Sequence, residues 1–72
     1  MKLIYVKEAD GTEHYISPRH VIEIKVTHSE YNGDWCIVIN LVENRVYTIN
    51  CKSENEYKTR LYEINEAMEC IN

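Results

Sequence analysis

Three cysteines and three histidines are the side chains in this sequence that chemistry most often recruits, and their spacing limits what they can do. Cys36, Cys51 and Cys70 form no CxxC pair, so a zinc site lacks its usual ligand spacing. On adjacent strands of a hairpin, Cys36 and Cys51 are expected to be direct cross-strand neighbours, at a Cα separation that a disulfide tolerates. A cytoplasmic chain keeps such a pair reduced, and Cys70 leaves an odd count, so all three are read as small buried hydrophobes. His14, His20 and His28 are candidate bases or ligands. His20 and His28 share a strand parity, yet eight residues of extended chain hold them about 26 Å apart. The sequence contains no GxSxG, no HExxH and no glycine-rich phosphate loop. No nucleophile stands at a defined spacing from a base, so the chain is expected not to be an enzyme and to carry no cofactor or metal.

Charged and aromatic residues suggest binding. Arg19, His20 and Arg45 are the cations best placed near strand ends; converging across a subunit interface, they would hold a small molecule or nucleotide. Glu63, Glu66 and Glu69 recur every third residue and share one ridge of a helix, where they oppose each other and the helix dipole. Such a ridge either docks a basic surface or serves as a solvated face. The aromatics are six tyrosines and one tryptophan with no phenylalanine, which favours rings with a polar tip suited to half-wet interfaces. Strand propensity accounts for Tyr5, Tyr15 and Tyr47. It does not account for Tyr31, expected exposed in a loop, or for Tyr62, expected exposed on a helix. Tyr31, Asp34 and Trp35 at that loop, with Tyr62, Glu63, Glu66 and Glu69 on the helix, are therefore the candidate partner-binding residues.

The elements that must position these residues change period at Ser53. Beyond it, Tyr57, Leu61, Ile64, Met68 and Ile71 repeat at four, three, four and three, one stripe of a helix over 54–71. Ser53 and Glu56 read as a capping box, Ser53 accepting from the Glu56 N–H and the Glu56 carboxylate reaching back to the Ser53 N–H. Before Ser53 the apolar period is about two, giving strands over residues 2–52. Leu3 to Lys7 and Glu13 to Ile16 pair through an Asp10-Gly11 turn. Ser17-Pro18 stops the second strand. Val21 to Thr27 is the third strand, with Ile22, Ile24 and Val26 on one face and Glu23, Lys25 and Thr27 on the other. Ser29 to Asp34 is the longest loop. Trp35 to Val42 and Val46 to Cys51 form a hairpin across Glu43-Asn44, where Asn tolerates positive φ.

A turn centred on Glu43-Asn44 sets Leu41 opposite Val46 and Cys36 opposite Cys51. Both faces of the hairpin then carry apolar residues: Trp35, Ile37, Ile39 and Leu41 on one, Cys36, Val38, Val42, Tyr47, Ile49 and Cys51 on the other. One helix covers one face. The second face either curls into a small barrel, lies under the first two strands, or meets another subunit.

Composition narrows the classes. With 72 residues there is room for one domain, which buries only about 60% of its unfolded surface, so oligomerisation is a plausible aid to stability. An apolar share of 44% against 28% charged argues against disorder. Trp35 to Val42, the longest apolar stretch, is too short to cross a bilayer. The opening residues read as a strand and not a signal peptide, which gives a cytoplasmic expectation. Net charge is −4 and neither half holds a basic cluster, which disfavours general nucleic-acid binding.

The segment from Lys2 to Ile24 resembles the start of small bacterial proteins of the flagellar FlbD/SwrD type, and of similar short proteins in phage and mobile elements. The likeness lies in an opening apolar strand, Asp10-Gly11 then Glu13, and Tyr15-Ile16-Ser17-Pro18 with His20-Val21-Ile22-Glu23-Ile24 after it. The resemblance implies a hairpin and a C-terminal helix in the rest of the chain, and implies nothing about chemistry. The family usually has asparagine where Ser17 stands, a shorter connection than Ser29 to Asp34, and a shorter helix.

The expected fold is α+β: one domain over 1–72, with a bent antiparallel sheet of about five strands and a C-terminal helix packed on it. The expected function is a non-enzymatic, self-associating adaptor or inhibitor of bacterial or phage origin that binds another protein. The alternative is a homo-oligomer holding a small molecule or nucleotide between subunits.

Overall fold

The computed structural model describes residues 2–69. The chain builds β1 (Ile4–Lys7), β2 (Glu13–Ile16), a short 3-10 turn at Pro18–His20, β3 (Val21–His28), β4 (Trp35–Leu41), β5 (Arg45–Cys51) and α1 (Glu54–Glu69). The architecture is α+β, with all strand pairs antiparallel. The expected single sheet is split in two: β1 pairs only with β2, and β3, β4 and β5 form a three-stranded sheet with β4 in the middle. β1 comes beside β5, but a hollow of about 270 Å³ between Leu3, Ile4, Tyr5, Ile49 and Ile64 lies between them. Side chains meet there in place of a backbone ladder.

Local chemistry explains most of the elements. In the β1–β2 hairpin, Thr12 N–H donates to Asp10 Oδ1 at 2.9 Å and Glu8 N–H donates to Thr12 O at 2.8 Å, while Gly11 takes a φ of 94°. That φ is open to glycine without a Cβ clash. Pro18 is buried and starts the 3-10 turn with its φ already set. A bulge in β3 then shifts the register between Val21 and Glu23. Ile22 is the extra residue. It is 68% exposed, so it leaves the face expected of it while Ile24 and Val26 stay opposite Ile39 and Ile37.

The β4–β5 register differs from the expected one. The connection takes three residues, Val42–Asn44, with Glu43 and Asn44 both left-handed at φ 64° and 59°. Leu41 therefore faces Arg45, Ile37 faces Ile49 and Cys36 faces Asn50. A shift of one residue turns every β5 side chain over to the other face. Tyr47, Ile49 and Cys51 join Trp35, Ile37, Ile39 and Leu41 on the core side, and Val46, Thr48 and Asn50 turn outward beside Cys36, Val38 and Asn40. The hairpin is thus apolar on one face and largely polar on the other, which corrects the expectation of two apolar faces.

Helix α1 starts as its cap predicts. Glu56 N–H donates to Ser53 Oγ at 3.2 Å. The return bond differs by one residue, since the Glu56 carboxylate accepts from Lys52 N–H at 3.2 Å and not from Ser53. Ile64 and Ala67 are buried, and Tyr57, Leu61 and Met68 pack against the core. Ala67, absent from the predicted stripe, is fully part of the core. The predicted helical residues Cys70 and Ile71 lie outside the described residues.

One core joins all these parts. Ile4, Val6 and Ile16 of the hairpin meet Ile37, Ile39, Leu41, Ile49 and Cys51 of the three-stranded sheet and Ile64 and Ala67 of α1. Each fully buried aliphatic here contributes about 1.5–3 kcal/mol. The hairpin and α1 thus share the same face of the three-stranded sheet. Its other face is covered by no element of the described chain: none of Glu23, Lys25, Thr27, Cys36, Val38, Asn40, Val46, Thr48 and Asn50 is buried.

Candidate functional site

Three surfaces qualify, beside the acidic ridge of α1. The first is this open sheet face. β4 contributes Cys36, Val38 and Asn40, and β5 contributes Val46, Thr48 and Asn50, so the β4–β5 part carries no charge. Charge borders the face on both sides: Lys7 and Glu8 share a hollow with Val46, Thr48 and Asn50, and on β3 Lys25 pairs with Glu23 at 3.6 Å and Asn40 donates to Glu23 Oε1 at 3.2 Å. Cys36 donates to Asn50 Oδ1 at 2.9 Å on this face. Cys51 lies on the core face, where burial pushes its thiol pKa up. Both thiols are free, and their expected cross-strand pairing is not formed, because the register places Asn50 opposite Cys36.

The second surface is the β3–β4 loop end. The loop is held by its own bonds: Ser29 N–H to Asp34 O at 2.9 Å, Gly33 N–H to Ser29 O at 2.8 Å, and Asp34 N–H to Asn32 Oδ1 at 3.0 Å. Tyr31 projects from it fully exposed. Asp34 is committed to Lys52 at 3.0 Å, a bond that raises the Lys52 pKa above its ordinary value. Trp35 is the middle ring of a three-ring stack, with His28 at 4.1 Å and 18° and Tyr57 at 4.5 Å and 5°. Asp34 and Trp35 therefore tie the loop to the body of the fold, and Tyr31 alone of the three reaches outward.

Along α1, Tyr62 is 69% exposed, as expected. The acidic ridge is partly neutralised within the chain: Glu63 binds Arg60 at 3.2 Å and Glu66 binds Lys2 at 3.0 Å. Arg60 also sits 5.9 Å above the Tyr5 ring. In the first turns of α1, Glu54 pairs with Lys58 at 2.9 Å. Glu69 is exposed. Glu66 lies about 15–18 Å along the helix from Glu54, whose end of α1 meets the loop, so loop and ridge are separate surfaces.

The third surface is a hollow of about 300 Å³ between β2, the 3-10 turn and the start of β5. Arg45 and His20 both border it, with His14, Tyr15, Ser17 and Tyr47. The sequence required an interface to bring Arg45 and His20 together; one chain does so alone. Arg19 is not in the lining. His14 packs on Tyr47 at 4.4 Å between ring centroids, and its Nε2 is 3.1 Å from Glu8 Oε2. His14 and Tyr47 were missed because they join the site only when the first hairpin folds onto β5.

No family model, curated protein or solved structure matches this chain. The likeness to FlbD/SwrD-type proteins therefore rests on the residues between Lys2 and Ile24 alone. Among the described residues, no group of three or more His, Cys, Asp or Glu is placed to hold a metal ion. No helix of the described chain is long and apolar enough to cross a membrane.

Proposed function

We propose that this chain is a small non-enzymatic protein-binding adaptor that self-associates, weakly, through the open face of its three-stranded sheet. The carrying observation is the uncharged β4–β5 surface of Cys36, Val38, Asn40, Val46, Thr48 and Asn50, which no other element of the described chain covers. Interface centres are depleted in charge in this way, whereas a face meant only for water can carry Lys and Glu freely. Lys25 and Glu23 of β3 form a polar rim.

Area sets the strength. Three strands of about seven residues span roughly 14 by 23 Å, so two stacked faces cover roughly 600 Å² of flat sheet, well short of the 1,200 Å² of a stable complex. Self-association is therefore concentration-dependent and not obligate. Stacking leaves Tyr31 and Tyr62 outside the contact, available to a different protein.

Sedimentation equilibrium over a wide concentration range tests the proposal. The wild-type chain should show a monomer–dimer equilibrium, and Val38→Lys should shift it to monomer while the far-UV circular dichroism stays unchanged. A chain that remains monomeric at millimolar concentration overturns the reading, as does a dimer that Val38→Lys leaves intact.

A further inference from the structure

The geometry points to a binding site for a small organic phosphate in the hollow of Arg45, His20, Tyr15 and Tyr47. Charge pairing is the first ground. Of the eight Lys and Arg residues, five bind a carboxylate within the chain: Lys2, Lys25, Lys52, Lys58 and Arg60. Arg45 has no carboxylate partner among the described residues, although the chain holds twelve acidic residues against those eight bases. Among the described residues no Asp or Glu lines the hollow either. In an acidic chain, a guanidinium left unpaired beside an imidazole is a site of local positive potential.

Shape is the second ground. A volume of about 300 Å³ stands at the small end of ligand pockets. Arg45 opens β5 on the same strand face as Tyr47, and both line the hollow. His14 packs against Tyr47 at a tilt of 37° and its Nε2 is 3.1 Å from Glu8 Oε2, so its ring forms part of the wall. Tyr15 borders the hollow as well, but its ring packs on Tyr5 at 5.4 Å between centroids. A guanidinium fork matches the oxygens of a phosphate, and a phosphomonoester brings nearly two negative charges. The Tyr47 ring suits a flat organic group attached to it. A nucleoside monophosphate has both parts.

The test is an amide-resolved NMR titration of the full chain with adenosine monophosphate and, separately, with inorganic phosphate, at fixed ionic strength. Adenosine monophosphate should give saturable shifts at Tyr15, His20, Arg45 and Tyr47, and inorganic phosphate weaker binding at the same cations. Arg45→Gln should weaken adenosine monophosphate binding by about tenfold or more. Lys7→Gln, which removes another unpaired cation outside this hollow, should not. Absence of saturable shifts overturns the proposal, and so does an Arg45→Gln variant with a dispersed spectrum and unchanged affinity. Equal affinity for the two probes overturns the organic part of the ligand. The Val38→Lys variant should bind as the wild type does, so this site and the self-association reading stand or fall separately.

Discussion

Trp35 lies directly opposite Cys51 across β4 and β5, and its neighbour Cys36 lies opposite Asn50. The two cysteines therefore occupy opposite faces of the sheet, Cys51 buried in the core and Cys36 half-buried on the open face. In a Cys70→Ser background, a thiol reagent should modify Cys36 in the native protein and spare Cys51 until the chain unfolds. Mass mapping of the labelled peptides checks this. Equal labelling of both thiols, or a Cys36–Cys51 disulfide under mild oxidation, would contradict the register.

The same register depends on the Val42–Asn44 connection, where Glu43 holds a φ of 64°. A left-handed non-glycine residue is strained by about 1–2 kcal/mol, and Glu43 makes no ion pair among the described residues. Glycine relieves the strain but gives the unfolded chain more freedom, worth about 0.5–1 kcal/mol. Glu43→Gly should therefore stabilise the fold by up to about 1 kcal/mol, read as a rise in the urea midpoint at unchanged slope. A fall in the midpoint would show that the turn is not left-handed at this position.

Element order, the Ser53 N-cap and the first two turns were legible in the sequence, because each depends on neighbours in the chain: Ser53 with Glu56, Asp10 with Gly11, Pro18 with Ser17. The register was misread although a signal for it existed. Tyr47, Ile49 and Cys51 are the apolar set of β5, and only a three-residue connection sets them beside Ile37 and Ile39. Matching apolar faces outweighs the preference for a two-residue hairpin. The hollow at Arg45 was not legible. It needs β2, the 3-10 turn and β5 to converge, and no local pattern encodes that approach.

Acid should weaken the first hairpin through Asp10. Bonds from Thr12, first its backbone N–H, hold the Asp10 carboxyl below its ordinary pKa. A carboxyl depressed in the folded state stabilises the fold above its unfolded pKa, and that contribution is lost as pH falls through the folded value. Asp10→Asn preserves an acceptor for the Thr12 N–H but removes the titration. The wild type should then lose stability relative to Asp10→Asn only below about pH 4. Urea midpoints measured from pH 6 down to pH 2 decide it, and a constant difference across that range would exclude Asp10 as a source of acid sensitivity.

The ring stack offers a direct reading of how α1 is anchored. Trp35 is the sole tryptophan, so its emission reports one environment. Tyr57 covers one face of the indole from the first turns of α1 and His28 covers the other from β3. Tyr57→Ala removes both half-buried apolar area and a stacked pair, together about 2 kcal/mol. It should also redden the Trp35 emission, because water reaches the face that Tyr57 shielded. Tyr57→Phe keeps the ring and should change neither reading. His28 is exposed at the outer end of the stack, so His28→Ala should lower stability by only about 0.5 kcal/mol. If Tyr57→Ala left both emission and urea midpoint unchanged, α1 would be held by Leu61, Ile64, Ala67 and Met68, and the stack would carry none of the packing between the helix and the loop end of the sheet.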